Sequence, residues 1–260
     1  MKKLITICGV FLVALLPQSA IAAGYALFDA PTDTISVSGN SVIGTAATIE
    51  ARVNINVNVG PFGSIFNEWS DGREDKHLMI KPDQTIYGYL YHPGGHTPLI
   101  SSATVSLNTW HHVAYVYDGS EERLYLDGII VGSRAASGDV LDYSSSISAV
   151  GAIFRDSHIV TSFQGLLDTV RFSTIARYTG DSFTAPTGDL TSDAYTSLLY
   201  NFNEPQNSTV VYDLSGNGRN GYLGGGFSGA TSPTLVPEPA TMLLLGLGGL
   251  GLLHRKRSKA

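Results

Sequence analysis

The chain has 260 residues, 43% hydrophobic, 15% charged and 10% aromatic, with 29 Gly, 11 Pro, one Cys and a formal net charge of −6. Charge content well below the roughly 25% of an average soluble protein excludes a coiled coil. The acidic balance and the lack of a basic patch exclude an electrostatic nucleic-acid binder, and the aromatic content suits a packed core rather than disorder.

Lys2 and Lys3 precede an apolar run, 4–16, and a small-residue site, Ala20-Ile21-Ala22. This order predicts a secretory signal peptide over residues 1–22. Cys8 lies inside it, so the exported body has no disulfide, thiolate or Cys-zinc site. The body, 23–235, holds 10 Lys/Arg against 21 Asp/Glu, a net −11. That charge favours divalent cations and neutral partners over polyanions.

No segment of the body has the length and period of an ordinary helix. Short alternating runs predict strands at 36–38, 48–55, 63–67, 77–80, 85–91, 110–117, 123–126, 129–131 and 167–172, with a final strand at 198–202. Asp118-Gly119 and Asp127-Gly128 predict hairpin turns. Residues 179–197 read as a long surface loop and 224–235 as a flexible tether. This spacing predicts an all-β sandwich or barrel, with Trp110, Val113, Leu124 and Leu126 in its core.

Tyr87, Tyr89 and Tyr91 share one face of a strand, and Ile86, Gly88 and Leu90 the other. Facing solvent, the tyrosines form a stacking platform for sugar rings; facing inward, they are core. His92 follows in a turn and adds a polar contact beside them. The acidic run from Glu68 through Asp71 and Glu74 to Asp75 is the nearest approach to the paired carboxylates of a glycoside hydrolase. Alternation puts Glu68 and Asp71 on opposite faces, and Asp71-Gly72 reads as a turn, so a solvated acidic loop is expected and no catalytic residue is assigned. His111 and His112 point opposite ways on a strand; His112 is expected to be structural, beside Trp110. Asp213 and Asn217 sit in a Gly/Asn turn and are expected to close it by hydrogen bonds.

Several stretches, taken together, resemble a known family. They are Leu27-Phe28-Asp29 with the segment 34–37, then 47–53, 108–119 (NTWHHVAYVYDG), 124–128 (LYLDG), 163–172 with 175–177, 199–204 and 213–221. In this order they resemble laminin G-like, concanavalin A-like jelly-roll domains. The resemblance implies two antiparallel sheets with one concave face over residues 23–225, and by itself no enzyme. It also implies a structural calcium ion joining the last core strand to the first. The matching ligand is Asp168, with Asp29 as a weaker partner; Thr169 stands where the family usually has an acidic residue.

After a linker, 226–235, the segment 236–260 resembles the PEP-CTERM sorting signal of Gram-negative bacteria. It has Val236-Pro237-Glu238-Pro239, an apolar stretch of 14 residues and the basic cluster His254-Arg255-Lys256-Arg257. The resemblance implies a temporary anchor in the inner membrane, stopped by its cations and removed by an exosortase-type enzyme. The function expected is an exported, cell-surface or matrix-associated, non-catalytic domain that binds extracellular polysaccharide or a surface protein. Its rivals are a polysaccharide-cleaving hydrolase on the same sandwich and a purely structural matrix component.

Overall fold

The structure, a computed structural model, describes residues 24–39, 44–56, 63–70, 73–91, 97–140, 147–155 and 158–237. Residues 1–23, where the signal peptide is expected, His92 and the tail beyond Pro237 lie outside the described residues. In chain order the first strands are β1 (Gly24–Phe28), β2 (Ile35–Val37), β3 (Ala47–Ile55), β4 (Gly63–Ser70), β5 (Arg73–Ile80) and β6 (Thr85–Leu90). Next come β7 (Leu99–Thr104), β8 (His111–Tyr117), β9 (Glu121–Leu126), β10 (Ile129–Ala135), β11 (Ile147–Val150) and β12 (Ala152–Arg155). The last are β13 (His158–Ser162), β14 (Gly165–Ser173), β15 (Thr196–Tyr200), β16 (Val210–Val211), β17 (Gly221–Leu223) and β18 (Thr234–Pro237).

The first sheet runs β10-β9-β8-β3-β14-β1-β18, and β15 pairs with β14 beyond the end of β1. The second runs β16-β17-β2-β11-β4-β5-β6-β7. All the ladders are antiparallel, and the two sheets form the expected jelly-roll sandwich. Period-2 alternation makes the core. In β3, Ala47, Ile49, Ala51, Val53 and Ile55 are fully buried against the second sheet, while Thr48, Glu50 and Arg52 point the other way. Phe66 of β4 stacks on Phe172 of β14 across the interface, with ring centroids 5.9 Å apart. Each such side chain contributes about 1.5–3 kcal/mol on burial. Gly88 occupies a core-facing position because a Cβ there would lie 2.3 Å from the Tyr115 ring. Asp127 (φ 51°) and Gly128 (φ 80°) form the two-residue turn between β9 and β10, with the paired positive φ angles of type I′.

Three expectations are corrected. Trp110 is not in the core: it precedes β8, half-buried, edge-on to Tyr25 at 6.1 Å, with the Arg52 guanidinium 4.8 Å from its ring. Leu126 only packs on the core margin, whereas Val113 and Leu124 are fully buried. The segment 224–235 is not a tether. Its backbone bonds to residues 32–34, the Asp33 carboxylate accepts from Thr231 Oγ1 at 2.6 Å, and β18 pairs with β1 from Leu27↔Thr234 to Gly24↔Pro237. Leu235 is fully buried in the core, so the sandwich extends past 225 to Pro237.

Candidate functional site

On the outer face of the second sheet, cross-strand pairing lines up Tyr222, Ser36, Ala149, Asn67, His77 and Tyr89, each directly opposite the next. Beside this row run Ser64, Met79 and Tyr87. All point away from Phe66, Leu78, Ile86 and Leu90, which are core. Ser64, Asn67 and His77 are nevertheless fully buried. Ser64 Oγ lies 3.1 Å from His77 Nε2, and the edge of the Tyr87 ring meets the His77 ring at 5.5 Å. Tyr87 and Tyr91 are half-buried, and Tyr89 is 8% exposed. The tyrosine row is therefore neither open platform nor core; it forms one wall of a polar and aromatic patch. Trp69, opposite the exposed Ile147, extends the patch along β4.

Sequence reasoning missed Asn67, His77 and Trp69. The signal was their alternation with Phe66 and Leu78. It was hidden because two bulges, at Ser64/Phe66 and Glu68/Trp69, shift which residues of the β4–β5 hairpin face each other. The same bulges overturn the solvated-loop expectation for Glu68. Glu68 shares the inward face with Phe66 and is fully buried. It accepts from Lys76 Nζ at 2.5 Å and from Ser148 Oγ at 3.0 Å, with Arg219 3.9 Å away. Asp75 is fully buried as well. Asp71 lies outside the described residues.

The two residues expected to hold calcium do not lie side by side. Asp168 is the bulged residue of β14 and is ion-paired to Arg52. Ala26 pairs with Leu167, so Asp168 lies level with Tyr25. Asp29 is four residues further along, past the end of β1, about 13 Å at the usual strand rise. One oxygen of Asp168, Oδ2, is taken by the Arg52 guanidinium, and Asp29 is too far along the register to share an ion with it. Asp213 closes its turn as expected: its oxygens accept from the backbone of Leu199, Ser215 and Arg219 and from Ser215 Oγ.

On the outer face of the first sheet, Glu50 is the hub of a buried network. Its Oε1 accepts from Arg171, at 2.8 Å from Nε and 2.7 Å from an Nη. Its Oε2 accepts from His112 Nε2 at 3.0 Å and from Tyr178 Oη at 2.6 Å. Burial pushes the Glu50 carboxyl up, but the bonds from His112 and Tyr178 and the Arg171 charge outweigh it and hold the group below its ordinary value. The segment after β14 closes over this network, with Tyr178 and Phe183 stacked at 3.6 Å and edge-on to His112. His112 is thus structural, though its ring neighbours are these two and Glu50 rather than Trp110.

A family profile described as the concanavalin A-like lectin/glucanases superfamily, Laminin_G_3, matches residues 29–181. The PEP-CTERM protein-sorting motif matches residues 235–258. No curated protein matches the chain. Among solved structures, a candidate carbohydrate binding protein from Bacteroides ovatus superposes with a TM-score of 0.63 at 19% identity, over 82% of this chain and 61% of that one. This chain therefore spans about three fifths of that protein's length. The SAP-like pentraxin of Limulus polyphemus superposes with a TM-score of 0.48 at 14% identity, over 61% of this chain and 79% of that one. The Ruminococcus gnavus IT-sialidase CBM40 bound to α2,3-sialyllactose gives 0.47 at 13% identity, over 60% and 94%. At 19% identity the likeness to the Bacteroides protein concerns the fold alone.

Proposed function

Because the chain belongs to the concanavalin A-like lectin/glucanases superfamily, by a match over more than half its length, we propose that it is a non-catalytic carbohydrate-binding protein that takes its ligand on the outer face of the second sheet. The observation that carries this reading is the row Asn67, His77 and Tyr89 with Ser64 and Tyr87 beside it. Polar groups are buried there on the face that the hydrophobic core does not use, and buried polar side chains are the informative exception in a sheet. Aromatic walls over a few fixed polar groups suit a polyhydroxylated ligand: the half-buried Tyr87 and Tyr91 rings meet its C–H groups, and the buried His77 imidazole holds the Tyr87 ring in place.

The same hairpin speaks against hydrolysis. A glycosidase needs two carboxylates flanking one bond, whereas Glu68 points to the opposite face and is held by Lys76. The PEP-CTERM motif marks the chain for export and membrane anchoring in a Gram-negative bacterium. On this reading an exosortase-type enzyme processes the tail, the destination is the cell surface or matrix, and the ligand is an extracellular polysaccharide.

The test is a glycan array probed with the full chain, joined to a reducing-end assay on the glycans bound. Tyr87→Ala is expected to weaken binding about tenfold, equivalent to about 1.4 kcal/mol, and Tyr87→Phe to retain it. No reducing ends should appear. Unchanged binding by the alanine variant would remove the site, and release of reducing ends would replace the binding protein with a hydrolase.

A further inference from the structure

The structure carries a groove, of about 630 Å³, between the segment entering β15 and the Asp213 turn. We propose that this groove is a separate binding site for a neutral saccharide. It is built mainly from residues 193–219, beyond the family match that ends at 181, with Gly39 and Thr174 completing its lining. Its volume is in the range of small-ligand pockets, and it shares no residue with the outer face of the second sheet.

The groove has one aromatic wall, Tyr195, which is 53% exposed. Its backbone is pinned from both sides. Its N–H donates to Asp193 Oδ1 at 3.0 Å, and its carbonyl accepts from Thr174 N at 2.9 Å and Thr174 Oγ1 at 3.3 Å. A ring carried on a backbone fixed in this way and left open to solvent offers a stacking surface without reordering of the chain, which lowers the cost of binding.

The polar groups around it leave mainly acceptors over. Asp193 Oδ1 takes bonds from Arg177, Thr196 and Tyr195, but Oδ2 takes one, from Arg177 Nη1 at 2.9 Å. A carboxylate oxygen has two lone pairs, so Oδ2 keeps one. The bonds from Arg177 hold the Asp193 carboxyl well below the usual carboxylate range, so it stays an anion at working pH. Asn217 spends its amide hydrogens on the carbonyls of Thr196 and Ser197 and on Ser215 Oγ. That orients its Oδ1 as an acceptor. Acceptors beside an aromatic face select a ligand that offers hydroxyl donors on one edge and C–H groups on a ring face. Asp193 is balanced by Arg177, and Arg219 in the lining stands 3.9 Å from Glu68, so the groove offers no unbalanced charge to an anionic sugar and the class is a neutral polyhydroxylated one.

The proposal is tested by titration calorimetry on the full chain in detergent with maltopentaose, cellopentaose and tri-galacturonate. At least one neutral probe should bind, and the uronate should not. Tyr195→Ala should lower the neutral affinity about tenfold, in a Tyr87→Ala background as well as in wild type, and Tyr195→Trp should keep it. Binding of neither neutral probe, equal affinity in Tyr195→Ala, or a preference for the uronate would overturn the site. Loss in Tyr87→Ala alone would also overturn it, while leaving the reading of the second sheet's outer face intact.

Discussion

Glu50 illustrates how a single buried carboxylate ties a loop to a sheet. Arg171 and His112 come from the two strands beside its own, and Tyr178 comes from the segment that follows β14. Removing the charge from such a group leaves Arg171 facing a neutral partner inside the protein, and breaking a buried pair costs about 3–5 kcal/mol. Glu50→Gln should therefore destabilise the fold by about 3 kcal/mol in urea melts at neutral pH. The folded value of Glu50 lies below its ordinary 4.5. The ionised group thus adds stability above that value and loses it as pH falls through the folded one. The variant should accordingly show a shallower loss of stability than wild type between about pH 5 and pH 3; parallel acid limbs would contradict the role given to Glu50. Residue chemistry alone could not reveal this network, or the pair Glu68–Lys76. Charged residue types suggest surface, and only counting bulges and knowing what covers each face turns them inward.

Elements were legible where the signal was local. The turn at Asp127-Gly128 is dictated by two residues that tolerate positive φ, and β3 by an unbroken alternation. β18 was illegible for the opposite reason. Four residues, Thr234-Leu235-Val236-Pro237, between a Gly-rich stretch and an apolar tail carry no periodicity, and their partner is β1 at the other end of the body. What makes them a strand is the free edge of β1 and the core space that Leu235 fills. Leu235→Ala should thus cost about 2–5 kcal/mol, the usual range for a buried leucine. A residue on a tether would cost nothing measurable, and a melting curve superimposable on wild type would return the segment to that status.

At the scale of the molecule, the jelly roll was legible from several motifs in order, but not its completion. Residues beyond the family match supply β15 to the first sheet, β16 and β17 to the second, and β18 to the first again. The site was half legible. The tyrosines were visible as a period-2 row, whereas their polar partners on β4 and β5 depend on a long-range register that no local pattern encodes. The pairing of β1 with β18 also sets an order in time. These strands lie about 210 residues apart in the chain, and the entropy of closing a loop grows with its length. The local hairpins form first, and the β1 edge stays unsealed until the end of the body arrives. In pulse-labelled hydrogen exchange during refolding, the amides of Ala26 and Leu235 should gain protection after those of the β8–β9 hairpin, and simultaneous protection would show that closure is not the final step. A chain exported from its N-terminus delivers β1 at the start and β18 at the finish, so the molecule waits on its last strand, and the zip that completes the sheet draws the base of the sorting tail against the first residues of the body.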